Sequence, residues 1–139
     1  MVVQTFVRRL TQTGNSDYIA GVIRLRQGKC FVKIIQIQIH GNVDILATST
    51  DQHMWQISKK AKTAYDGSLV DPDIVWAKSF EDPGAAAVHD AVRYPLTFRP
   101  MIPRFQTEGD IHILYDDAQD VANNVATFKI IADVTPARY

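Results

Sequence analysis

A chain of 139 residues with 46% hydrophobic and 22% charged side chains is long enough to bury roughly two-thirds of the surface its unfolded form exposes, which excludes the disordered class. Its 15 basic and 15 acidic side chains give a formal net charge of zero, unlike the basic footprint usual in nucleic-acid binders. No apolar run reaches the ~20 residues of a membrane-crossing helix, and the lone Cys30 rules out an internal disulfide and fits a buried thiol in a reducing compartment.

In chain order the signals are those of strands, and a single domain over 1–139 is expected. VVQTFVRRL (2–10) alternates as a strand. Its arginines follow the apolar residues and no small-residue cleavage site comes after, so neither a signal peptide nor secretion is expected. The turn cluster TGNSD leads to YIAGVIRL (18–25), and RQGK turns tightly into CFVKIIQIQIH (30–40). There Ile35, Ile37 and Ile39 share one face, with Gln36, Gln38 and His40 on the other. Before them Cys30, Val32 and Ile34 fall on the face that later turns polar. Either the first half is covered on both faces, by a partner outside the main core, or a bulge near Lys33 flips the register. The expectation carried forward is that Cys30, Val32 and Ile34 form a partner-covered stretch.

His40-Gly41-Asn42-Val43 gives a hairpin signal into DILATST (44–50), and HMWQISKK (53–60) follows as a strand with Trp55 and Ile57 on one face. Residues 59–73 are the longest turn-rich segment, and DIVWAKSF (73–80) returns to strand. In EDPGAAAVHDAVRYP (81–95) Asp82 and Pro83 are placed to start a short helix that Pro95 ends. LTFRPMIPRF (96–105) is too rich in proline for a central strand and predicts an edge or extended segment. IHILYD (111–116) and VATFKIIADV (125–134) close the chain, the latter with Ala126, Phe128, Ile130, Ala132 and Val134 on one face. About eight strands with at most one short helix indicate an all-β, antiparallel β-sandwich or barrel.

Residues 1–62 hold nine basic against three acidic side chains, a net +6, and residues 63–139 six against twelve, a net −6. Either the halves form distinct surfaces through which copies meet head to tail, or they interleave and the charges mix.

Catalytic signatures are missing: there is no G-x-S-x-G, H-E-x-x-H or glycine-rich phosphate loop, and His40, His53, His89 and His112 lie on separate elements. Asp66, Asp71 and Asp73 in DGSLVDPD, and Asp116, Asp117 and Asp120 in DDAQD, are candidate oxygen ligands for calcium. The competing reading is that these carboxylates cap their own turns. No other cofactor is expected. Arg93, Tyr94, Phe98, Arg99, Arg104 and Phe105 interleave basic and aromatic groups as single-stranded nucleic-acid contact or a protein partner would require. Trp55, Trp76 and Tyr65 flank the longest loop, where a carbohydrate-binding module would place its stacking platforms.

The strand rhythm, the segment YPLTFRPMIPRF and the final pair IHILYDD and VATFKIIADV resemble the single jelly-roll coat protein of a small non-enveloped virus or phage. The resemblance implies a jelly-roll sandwich, no enzymatic activity, self-assembly into a homo-oligomer or shell, further structural proteins as partners, and a place in the virion after assembly in the cytoplasm. MVVQTFVRRL departs from the basic N-terminal arm by which many such coats package a genome, so the resemblance implies a capsid or spike-base subunit, or a coat whose genome sits behind another layer.

Overall fold

Residues 3–11, 18–41, 52–81, 96–117 and 125–137 are described by a computed structural model, and all their regular structure is strand. Nine strands form: β1 (Val3–Thr11), β2 (Ile19–Arg24), β3 (Cys30–Gly41), β4 (Gln52–Ser58), β5 (Ile74–Glu81), β6 (Leu96–Phe98), β7 (Phe105–Thr107), β8 (Asp110–Asp117) and β9 (Val125–Pro136). The hairpin turn after Gly41, the short helix of 81–95, Arg93 and Asp120 lie outside the described residues apart from Gly41 and Glu81, which end strands.

The strands make two antiparallel sheets, one ordered β1-β9-β3-β6 with β7 also on β3, the other β2-β8-β4-β5. β6 pairs Ile37–Ile39 and β7 pairs Cys30–Val32 of the same strand. Together they make one edge position, interrupted where Pro100 and Pro103 can donate no ladder hydrogen bond. Eight strand positions so ordered are the jelly roll. The edge placement follows the proline reading, and the ninth strand is this interruption.

The core comes from alternation. On the first sheet Val32, Ile34, Ile37, Ile39, Phe128, Ile130 and Ala132 face inward, and on the second Ile19, Ile23, Trp55, Ile57, Ile111, Ile113 and Tyr115. Trp55 joins the sheets, its ring 4.4 Å from Tyr115 beside it and 5.6 Å from Phe128 opposite. Each fully buried side chain of this size contributes roughly 1.5–3 kcal/mol by leaving water. Trp76 and Phe98, with ring centres 5.5 Å apart, close one flank. At the other, β1 lies so near β2 that a Cβ on Gly21 would overlap Leu10.

The polarity change in β3 is a bulge, and the partner-covered expectation is corrected. Pairing with β9 slips between Ile34 and Gln36. The extra residue, Ile35, stands outward at 41% exposed, so Cys30, Val32 and Ile34, at 0%, 0% and 1%, face the same interior as Ile37 and Ile39. This chain alone covers them. Burial pushes the Cys30 thiol above its ordinary pKa.

The charged halves interleave. β9 of the acidic half runs between β1 and β3 of the basic half, and β8 between β2 and β4, so opposite charges mix within each sheet. Two turns lock together, the one after β2 and the one before β8. Gly109, at φ 119°, accepts hydrogen bonds from the amides of Leu25 (2.8 Å) and Arg26 (3.3 Å). Any Cβ there would meet the Arg26 carbonyl at 2.5 Å, so both conformation and space demand glycine.

Ile34→Ala should therefore lower unfolding stability by about 2–4 kcal/mol, read from urea denaturation at a protein concentration low enough to give monomer. A partner-covered residue would leave the monomer's midpoint unchanged.

Candidate functional site

Gln56, Ser58 and Leu114 point to the outer side of the second sheet, opposite in register to Trp55, Ile57 and Ile113, yet they are 0%, 1% and 2% exposed. Their cover is residues 59–73, which fold back across the sheet as a strap. The Gln56 amide serves both sides of it: Nε2 donates to the Ala64 carbonyl at 3.4 Å, and Oε1 accepts from the Asp66 amide at 2.8 Å. Ser58 Oγ donates to the Lys60 carbonyl at 2.6 Å. A buried polar side chain stays only where such partners exist.

The acidic cluster closes the strap. Asp71 and Asp73 converge on the ammonium of Lys62, at 2.6 and 3.4 Å. Asp71 also accepts from the Asp73 amide at 2.9 Å. Asp66 instead accepts from the Ser68 amide and hydroxyl, at 3.0 and 2.6 Å. The cation shared by Asp71 and Asp73 is thus the chain's own lysine, and Asp66 caps a turn apart from it. Among the described residues no three His, Cys, Asp or Glu groups are grouped to hold a metal. The hydrogen bond from Lys62 holds Asp71 below the usual carboxylate range, those from Ser68 do the same for Asp66, and Asp71 raises Lys62. Tyr65, half-buried in the strap, is raised by burial.

Beside the strap is an apolar hollow of about 170 Å³, floored by Ala20, Val22, His112 and Leu114 and walled by Ala61 and the Lys62 stem. Its space comes from the small residues Ala20 and Ala61. His40 faces out from the first sheet, opposite Thr127, while His112 is on the outer side of the second, so these two histidines do not converge.

Of the residues expected to make contacts along the proline-rich segment, whose crossover is 99–104, one is interior. Phe105 is 8% exposed, with its side chain in the core, and is corrected as a contact residue: its register opposite Val32 aims it inward. Arg104 binds Asp133 at 2.8 Å and reaches Thr135 at 3.4 Å. Asp133, although on the outer side of β9, is only 3% exposed. Lys33 Nζ donates to the Ile102 carbonyl, fastening the crossover to β3. Arg99 is exposed. The sugar-platform reading is overturned for both tryptophans: Trp55 and Trp76 are 0% and 9% exposed, because each sits at an inward position of its strand. Sequence reasoning missed the crossover's tip, where Met101 is 96% exposed between prolines while Ile102 beside it is buried. An extended segment alternates sides, so the signal was present in the P-M-I-P spacing.

Arg104→Ala should cost about 1–3 kcal/mol by removing a cation from a buried carboxylate, whereas Arg99→Ala should stay within about 0.5 kcal/mol, both measured by thermal melting. The strap should be pH-sensitive. Its two depressed carboxylates stabilise it fully only above their unfolded pKa near 4, and that contribution goes as pH falls through their lower folded values. Lys62, raised, contributes fully below roughly pH 10 and loses its part above. Hydrogen exchange of the Asp66 and Asp73 amides, corrected for intrinsic rates, should be slow between these limits and accelerate on the acid side before the core opens.

No protein-family model matches the chain, and neither does any curated protein. In fold it is similar to the acid-stable capsid structure of Helicobacter pylori bacteriophage KHP30, at 12% identity and a TM-score of 0.48 over 100% of this chain and 95% of that one. It is also similar to turnip yellow mosaic virus, at 11% identity and 0.47 over 99% and 95%. Tomato aspermy virus aligns at 13% identity and 0.44, covering 98% and 79%. The jelly-roll assignment stands on this chain's own strand order.

Proposed function

We propose that the protein is a non-catalytic structural subunit that assembles with copies of itself, as a viral capsid or other virion structural protein. The observation that carries this reading is the placement of apolar side chains. The tryptophans are turned inside, yet Val3, Val7, Phe31 and Ile35 stand 50%, 62%, 38% and 41% exposed on the outer side of the first sheet. In an antiparallel sandwich that side normally carries polar groups. Exposed apolar groups among its polar ones favour a covering partner, and a second copy is the simplest one.

The jelly roll also serves lectins and small-molecule enzymes, so the choice among them rests on sites. A sugar module stacks its ligand on exposed rings, and here both tryptophans are core. Of the basic and aromatic residues offered for nucleic acid, Arg104 is engaged by Asp133 and Phe105 is interior. Neither feature favours those readings over assembly. The place of action in this proposal is the virion, with assembly in the cytoplasm.

Sedimentation velocity and negative-stain electron microscopy of the purified protein should reveal symmetric oligomers or closed shells that grow with concentration. A monomer at every concentration and salt tested would remove the proposal.

A further inference from the structure

Among the described residues β1 pairs only with β9, so it is an edge, and every second residue along it turns its N–H and C=O away from the sheet. The other edges are blunted. β6 and β7 are three residues each with prolines between them, β2 is six residues long and contains Gly21, and the pairing that holds β5 slips at Ser58. β1 is nine residues without proline, glycine or a slip in register.

Seven of those nine residues are exposed, on both sides of the strand. The second half lies beside β2, where Leu10 and Arg8 reach Gly21. The first half, Val3–Val7, is open: Gln4 points inward opposite Ala132 and is exposed all the same. An unprotected edge takes an extended segment of another chain as its next strand. In antiparallel addition opposite residues share a side of the sheet, so two copies of one strand meet about a residue that faces its own copy. With Thr5 in that place, Val3 stands opposite Val7 of the second copy and Gln4 opposite Phe6. On the outer side β-branched groups then oppose β-branched groups, a match that favours pairing. The span Val3–Val7 holds no charged residue, so no like charges are set opposite within it. Ile131 lies next to Thr5 on β9, and Val3, Val7 and Ile131 of both copies therefore surround the axis on the outer side. A foreign strand brings no such set of its own.

We propose that β1 of one copy adds antiparallel to β1 of a second across a two-fold axis at Thr5, joining their two β1-β9-β3 sheets into one. The contact is isologous and uses each β1 once, so it yields a dimer, and a larger assembly needs a further interface. The inference rests on the self-assembly reading above and names one contact within it.

Thr5→Cys under mild oxidation should form a disulfide dimer with itself, because residues opposite in such a ladder have Cα atoms about 4.5–5.5 Å apart. Val3→Cys alone should not, since about 13 Å of strand separates it from its own copy, whereas mixed with Val7→Cys it should. The native Cys30 is buried and does not compete. Thr5→Lys sets two ammonium groups face to face and should weaken self-association about tenfold or more. Its circular-dichroism melt at low concentration should be unchanged, because Thr5 is exposed. Equal self-linking by Val3→Cys, as a parallel or slipped ribbon gives, absence of the Thr5→Cys dimer, or wild-type assembly by Thr5→Lys would overturn the pairing while leaving self-assembly standing. So would linking of Thr5→Cys to an unrelated cysteine-bearing strand peptide in preference to itself. Failure of the unsubstituted protein to self-associate would instead overturn both readings.

Discussion

The slip in pairing between Ile34 and Gln36 governs much of the molecule. A strand of 12 residues has two faces, and strict alternation would give its apolar residues to opposite sides before and after position 35. One unpaired residue restores a single inward side along its length. The same irregularity separates the stretch of β3 that pairs with β7 from the stretch that pairs with β6. Between them the chain leaves the sheet over 99–104, where prolines could not have served a ladder in any case. The bulge and the projecting crossover thus lie at the same level of β3, on its two sides.

The two outer faces are treated differently. The second sheet is roofed by the strap, whose hold comes from groups each satisfied twice or more: the Gln56 amide at both ends, Asp71 by Lys62 and by a backbone amide. Across one side of the first sheet lie the Arg104–Asp133 pair and the Lys33 contact, and its outward Val3, Val7, Phe31 and Ile35 meet solvent. The strap thus covers Gln56, Ser58 and Leu114 on the second sheet, while Val22 beside it and the apolar groups of the first sheet stay exposed. The strap also creates the hollow, because small residues on β2 and at Ala61 do not fill the space beneath its first turn.

Several residues with a chemical look are structural. The Asp71 and Asp73 carboxylates answer a lysine nine and eleven residues away in sequence, a distance over which a turn-rich segment gives no pairing pattern. Arg104 is bound by an aspartate 29 residues later that burial has stripped of water. Phe105 and the tryptophans illustrate a simpler point: an aromatic beside prolines or loops reads as exposed, yet the strand phase set by its neighbours decides the side, and all three fall on inward positions.

Local patterning alone determined the all-β class, most of the described strands, the turn at Gly28, the edge character of the proline-rich segment and the inward set of β9, since each depends on alternation or on backbone restrictions within a few residues. The choice between a bulge and a covering partner for Cys30–Ile34, the mixing of the charged halves, the strap over Gln56 and Leu114, and the partners of Lys62 and Arg104 were decided only by the tertiary structure. Those outcomes depend on which strands lie side by side, and a jelly roll pairs strands distant in the chain, β1 with β9 and β2 with β8, so no local window contains the groups that meet.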